Sequence, residues 1–195
     1  MKSVHILNSV SIASRSHLCR FTLATGWLIL VVSACGTPQV ILTPGAIAPD
    51  FTLKDQYDTE FRLTQFRGEN VLLLGCDKEG VDGSGAWIRL FNERYADRLW
   101  VFPLFNASSL PLFARLFLKG EIKEELRRSS NKPEVPNILL DWDGKVSGQY
   151  GMAPKNCTVV LIDSFGQIQL MAPLEQIDLV AASELLDRID QLIQQ

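Results

Sequence analysis

The stretch VLLLGCDKEGVDGSGAWIRLFNERY, residues 71–95, decides how the chain is built. It opens with an unbroken apolar run, the pattern of a central strand covered on both faces. From Trp87 the period changes. Trp87, Leu90, Phe91, Arg94 and Tyr95 recur at three- and four-residue intervals, which predicts a helix over roughly residues 84–97 with Ser84 as its cap. Between strand and helix lies a loop with one cysteine, Cys76, at the strand end. That cysteine is either a nucleophile or a small buried residue in a loop without chemistry.

Working outward, FTLKD (51–55) and FRLTQF (61–66) alternate around QYDTE, as paired extended segments do. WVFPLF (100–105) reads as the next strand, with Pro103 placing it toward a sheet edge. Ser109 and Pro111 then open a helix in LPLFARLFLKG, and Gly120 interrupts it before EIKEELRR. Phe113, Leu116 and Phe117 are expected to pack against the sheet; the other use of FARLFLKG is contact with a membrane. NILL (137–140) and TVVLID (158–163) are strand-like, and SFG turns the latter into QIQLM. Leu185, Ile189, Leu192 and Ile193 mark a closing amphipathic helix. The sum is a layered α/β domain, a mixed β-sheet flanked by helices on both faces.

The first 35 of the 195 residues read differently. Lys2, Arg15 and Arg20 precede the apolar LATGWLILVVSA, and no Asp or Glu occurs. The ending VSAC-G resembles the lipobox of bacterial lipoprotein signals, which implies cleavage before Cys35 and acylation of its sulfur. Residues 1–34 are therefore expected to be a signal peptide, 35–46 a lipid-anchored tether and 47–195 the folded domain. The localisation implied is the extracytoplasmic side of a bacterial envelope membrane.

Processing would leave 16 Lys and Arg against 22 Asp and Glu, a formal charge of −6. An acidic domain without a basic cluster is no nucleic-acid binder. Both histidines, His5 and His17, leave with the leader, so a Ser-His-Asp triad, a Cys-His pair and a His-containing zinc site are excluded. Cys76 and Cys157 are the two thiols that remain, without the spacing of a metal site. Asp77, Glu79, Asp82 and Ser84 lack the spacing of an EF-hand and read as a solvated acidic loop. Asp141, Asp143 and Asp163 read as turn residues. Gly80, Gly83 and Gly85 match neither a dinucleotide fingerprint nor a P-loop, and no cofactor or metal is expected.

APDFTLKD, FRLTQFRGENVLLLG, VPNILLDWDGKVSGQYGM and TVVLIDSFGQIQ, in that order, resemble the thioredoxin-like superfamily, especially its peroxiredoxin and membrane-anchored thiol-oxidoreductase branches. The resemblance covers roughly residues 45–194 and implies a thioredoxin-like fold. It also implies chemistry that the residues carry incompletely. The family places Cys-x-x-Cys, or one reactive cysteine, at the start of the helix after the central strand. Here Cys76 falls earlier, and Cys157 occupies the family's cis-proline position. The resembled topology brings Cys76 and Cys157 near each other, either as a disulfide or as two separate buried thiols.

Three functions follow from that resemblance. The leading one is a divergent envelope-facing redoxin with weak or absent classical catalysis, acting as a binding or envelope-maintenance domain. The second is a thiol–disulfide oxidoreductase or thiol peroxidase in which Cys76 attacks, Cys157 resolves and a partner thiol protein supplies electrons. The third is a scaffold for an envelope membrane complex.

Overall fold

The computed structural model describes residues 42–95, 97–129, 137–152, 155–174 and 179–194. The expected signal peptide, Cys35 and most of the loop after Ser129 lie outside the described residues. The strands are β1 (Thr52–Asp55), β2 (Glu60–Arg62), β3 (Val71–Asp77), β4 (Trp100–Asn106), β5 (Leu139–Asp141), β6 (Cys157–Ile162) and β7 (Ile168–Leu174). The helices are α1 (Val81–Tyr95), α2 (Leu112–Ser129), α3 (Lys145–Gln149) and α4 (Leu179–Leu192). One sheet holds all seven strands in the order β2-β1-β5-β4-β3-β6-β7. Its centre, β3–β4–β5, is parallel, while β1, β2, β6 and β7 join antiparallel, so the sheet is mixed as expected.

Alternation along β3 builds a core on each face. Leu72, Leu74 and Cys76 face α1 and α4, packing with Trp87, Phe91, Tyr95, Leu186 and Ile189. Val71 and Leu73 face the other way, toward Phe51, Leu63, Val146 and Tyr150. Trp87, Phe91 and Tyr95 stack successively along α1, with ring centroids 5.4 and 6.3 Å apart, and are core residues. Burial holds the Tyr150 phenol far above its usual pKa, and its hydroxyl donates to the Pro49 carbonyl at 2.7 Å.

Four expectations are corrected. Helix α1 begins at Val81, not Ser84; Ser84 lies in its first turn, where its hydroxyl donates to the Val81 carbonyl at 2.8 Å. Pro103 sits in an internal strand, tolerated because the β4–β5 ladder starts only at Leu104. Helix α2 runs unbroken through Gly120, and its core face is Leu118 and Ile122, packed near Phe105 and Leu140. Phe113, Leu116 and Phe117 point to solvent instead. The physical reason is that the apolar side chains in the first half of α2 spread over every side except the Arg115–Lys119 strip, so periodicity alone does not choose the inner face. The Arg115 guanidinium helps to set it by donating to the carbonyls of Leu110 (3.0 Å) and Ser108 (2.8 Å).

Helices α1 and α4 are also tied by charge. Asp190 on α4 accepts from Arg94 and from Arg98, the latter at 2.7 Å. Partial burial works to raise the Asp190 carboxyl, but the two guanidinium hydrogen bonds outweigh it and hold the group below its ordinary value. A lowered folded-state value stabilises above the unfolded carboxylate pKa and is lost as pH falls through the folded one. Thermal midpoints of the parent and of Asp190→Asn should therefore differ most at neutral pH and converge below about pH 4.

Candidate functional site

Strand β3 ends at the level where β6 begins, and their antiparallel register sets Cys76 directly opposite Cys157. The two Cα atoms are 4.3 Å apart, the close spacing of a non-hydrogen-bonded antiparallel pair, and the sulfurs are joined in a disulfide. The alternative of two separate buried thiols is thereby replaced by one cross-strand cystine. Both residues are buried, 6% and 4% exposed, in the cluster that contains Trp87.

The loop from β3 to α1 is shaped by Asp77. One of its oxygens accepts from the backbone N–H groups of Glu79 (3.0 Å) and Gly80 (2.8 Å), forming the turn that launches α1. The other accepts from the N–H of Lys155 at 2.8 Å, on the segment that leads to Cys157. Lys155 has a φ of +70°, a left-handed conformation unusual for a side-chain-bearing residue. One carboxylate thus binds the two chain segments that flank the cystine. The sequence reading of Asp77 as a solvated loop acid is corrected. The D-x-x-G turn was legible in DKEG, but the bond to Lys155, 78 positions away, was not.

Gly80 closes the same contact. A Cβ on Gly80 would lie 2.8 Å from the backbone carbon of Asn156, and its carbonyl oxygen lies 3.3 Å from the Cys157 sulfur. The start of α1 therefore presses backbone against backbone over the cystine. Among the described residues no cluster of His, Cys, Asp and Glu has the makings of a metal site.

A cleft of about 230 Å³ opens at the carboxyl ends of β3 and β4, lined by Gly75, Cys76, Asp77, Asn106, Ser147 and Met152 among others. Of the cystine pair, Cys76 borders it. Met152 covers Gly75 so closely that a Cβ there would overlap its sulfur. Buried Asp141 braces the far wall, accepting from the Ser147 backbone N–H (2.7 Å) and hydroxyl (2.8 Å). Its expected turn-making role holds, with one oxygen left unpartnered. Asp163 behaves as read, accepting from the N–H groups of Phe165 (2.9 Å) and Gln167 (2.8 Å) in the β6–β7 turn.

No family model matches the chain. In sequence it is 25% identical over 159 residues to the thiol-disulfide oxidoreductase ResA of Geobacillus thermodenitrificans, covering 77% of this chain and 85% of the relative. In structure it is similar to a putative thiol:disulfide interchange protein DsbE from Chlorobium tepidum, with a TM-score of 0.59, 18% identity and coverage of 78% and 99%. It is also similar to the exposed lipoprotein thioredoxin Etrx1 of Streptococcus pneumoniae, with a TM-score of 0.56, 18% identity and coverage of 71% and 98%. The chain has the thioredoxin-like fold of the redoxins, with Cys76 and Cys157 bonded across facing strands.

Proposed function

We propose that this domain is an extracytoplasmic thiol–disulfide protein, held to a membrane by lipid on Cys35, in which Cys76 and Cys157 form a two-electron couple with a partner thiol protein. The observation that carries this reading is the cystine itself, placed where β3 ends, beneath the start of α1 and beside the cleft. The similarity to thiol-disulfide oxidoreductases supports the redox assignment, and the likeness to an exposed lipoprotein supports the anchor.

In the reduced form the Cys76 thiolate attacks a substrate disulfide, and one substrate sulfur leaves as a thiolate that takes up a proton. Cys157, losing its proton, attacks the Cys76 sulfur of the mixed disulfide. This re-forms the cystine and releases the second substrate thiol. The substrate has gained two electrons and two protons, and a partner dithiol restores them to the domain by the reverse exchange. Cys76 is assigned the attack because the cleft reaches it. The 3.3 Å contact offers Cys157, once reduced, the Gly80 carbonyl as an acceptor for its S–H.

A second reading is favoured by the burial of both sulfurs and by the absence of a cysteine from the first turn of α1: a binding domain stapled by a structural cystine. A redox titration of the full chain, with peptide mapping, separates the two. The couple should titrate as one reversible two-electron wave while the fold persists. Turnover of a disulfide substrate with a thioredoxin-type donor should vanish in Cys76→Ser. Reduction only on global unfolding, with no turnover, would leave the stapled binding domain.

A further inference from the structure

Helix α2 carries two apolar faces. Leu118 and Ile122 turn inward, whereas Leu112, Phe113, Leu116 and Phe117 project outward, each between 65% and 78% exposed. Their spacing, two adjacent pairs four residues apart, gathers them on one side of the helix. Elsewhere among the described residues, large exposed apolar side chains are more scattered; Phe165, for example, stands at the tip of the β6–β7 turn. A four-residue outward cluster is more than ordinary surface apolarity requires.

We infer that this outer face of α2 docks the domain onto the bilayer that holds the Cys35 lipid, an inference that rests on the anchor reading above. Reach is the first argument. Leu42, seven positions after Cys35, already packs against the domain core. Fully extended, such a tether spans about 25 Å. A domain of this size is about 40 Å across, so the tether is shorter than the domain and keeps its surface within reach of the headgroups.

Charge is the second argument. The chain after Cys35 is acidic, yet α2 carries Arg115, Lys119, Lys123, Arg127 and Arg128 against Glu121, Glu124 and Glu125. The helix is thus locally positive, the sign that an anionic leaflet attracts. Beside it, half-exposed Tyr57 lies 5.0 Å from the Lys123 ammonium, and Lys119 pairs with Asp58 on the same β1–β2 turn. An apolar helix face flanked by an amphipathic ring and amines suits the acyl–headgroup boundary, with the phenyl groups below and the cations above.

The test uses the full chain in phosphatidylethanolamine–phosphatidylglycerol vesicles with brominated acyl chains. Phe117→Trp reports on the proposed face and Phe165→Trp on a remote exposed site, each read against the parent's own tryptophans. The Phe117→Trp signal should be quenched at least about twofold more than the Phe165→Trp signal. In a Cys35→Ser background, the combined Phe113→Gln, Leu116→Gln and Phe117→Gln variant should lose at least about tenfold in vesicle partitioning, with an unchanged thermal midpoint. Equal, weak quenching at both sites overturns the inference. So does an unquenched Phe117→Trp signal that shifts with protein concentration, which would assign the face to a second copy. Mass analysis of the Cys35 peptide separates the two readings: an acylated Cys35 with an unquenched helix overturns docking alone, and an unmodified Cys35 overturns both.

Discussion

Replacing Cys76 and Cys157 together with alanine should lower the folding free energy by about 3 kcal/mol, with a thermal midpoint about 6–12 °C lower. The bond closes a loop between residues 81 positions apart, so its loss returns substantial freedom to the unfolded chain. In the folded state little else should move, because β3 and β6 remain paired along Val71–Cys76 and Cys157–Ile162. Reduction of the parent should reproduce most of the loss. Differential scanning calorimetry of oxidised, reduced and double-alanine protein makes the comparison, with Trp87 fluorescence reporting locally because that ring shares the cystine's packed cluster. A reduced parent as stable as the oxidised one would show that the bond does not staple the fold.

Gly80→Ala should cost about 1–3 kcal/mol although it adds one methyl group. The new Cβ would meet the Asn156 backbone at 2.8 Å, and backbone cannot turn aside as a flexible side chain can. The segment before β6 would have to withdraw, weakening the Asp77 to Lys155 bond and the contact over Cys157. Gly85→Ala, inside α1, is the control, since nothing lies within 4 Å of its added methyl and alanine is the better helix former. Urea denaturation of the two variants should therefore move in opposite directions. The same crowding opposes a cysteine at position 80, so placing a sulfur at the helix start should destabilise rather than supply a ready nucleophile.

The site is thus arranged around close backbone approach. In place of a sulfur at the start of α1, the chain has Gly80 against Asn156, and its cystine lies on the facing ends of β3 and β6. That displacement explains why the cystine is buried, and it makes access to Cys76 from the cleft the decisive question for turnover. The comparisons favour the thiol–disulfide reading over the leading expectation of a binding domain with weak or absent catalysis.

The sequence alone determined the strand–loop–helix unit at 71–95, the mixed α/β order, the turns at Asp141 and Asp163 and the amphipathic closing helix. Those features rest on local patterning, where the neighbours that matter lie within a few positions. Periodicity places the start of α1 late because its glycines mimic a loop, while the Asp77 turn that launches it is short and polar. Only the tertiary structure decided that Cys76 and Cys157 are bonded, that Asp77 reaches Lys155 and that Phe113, Leu116 and Phe117 face outward. Each of these depends on register or rotation between elements distant in the chain. A cysteine's partner is chosen by which strand lies opposite, and a helix with apolar side chains on more than one face is oriented by what it packs against.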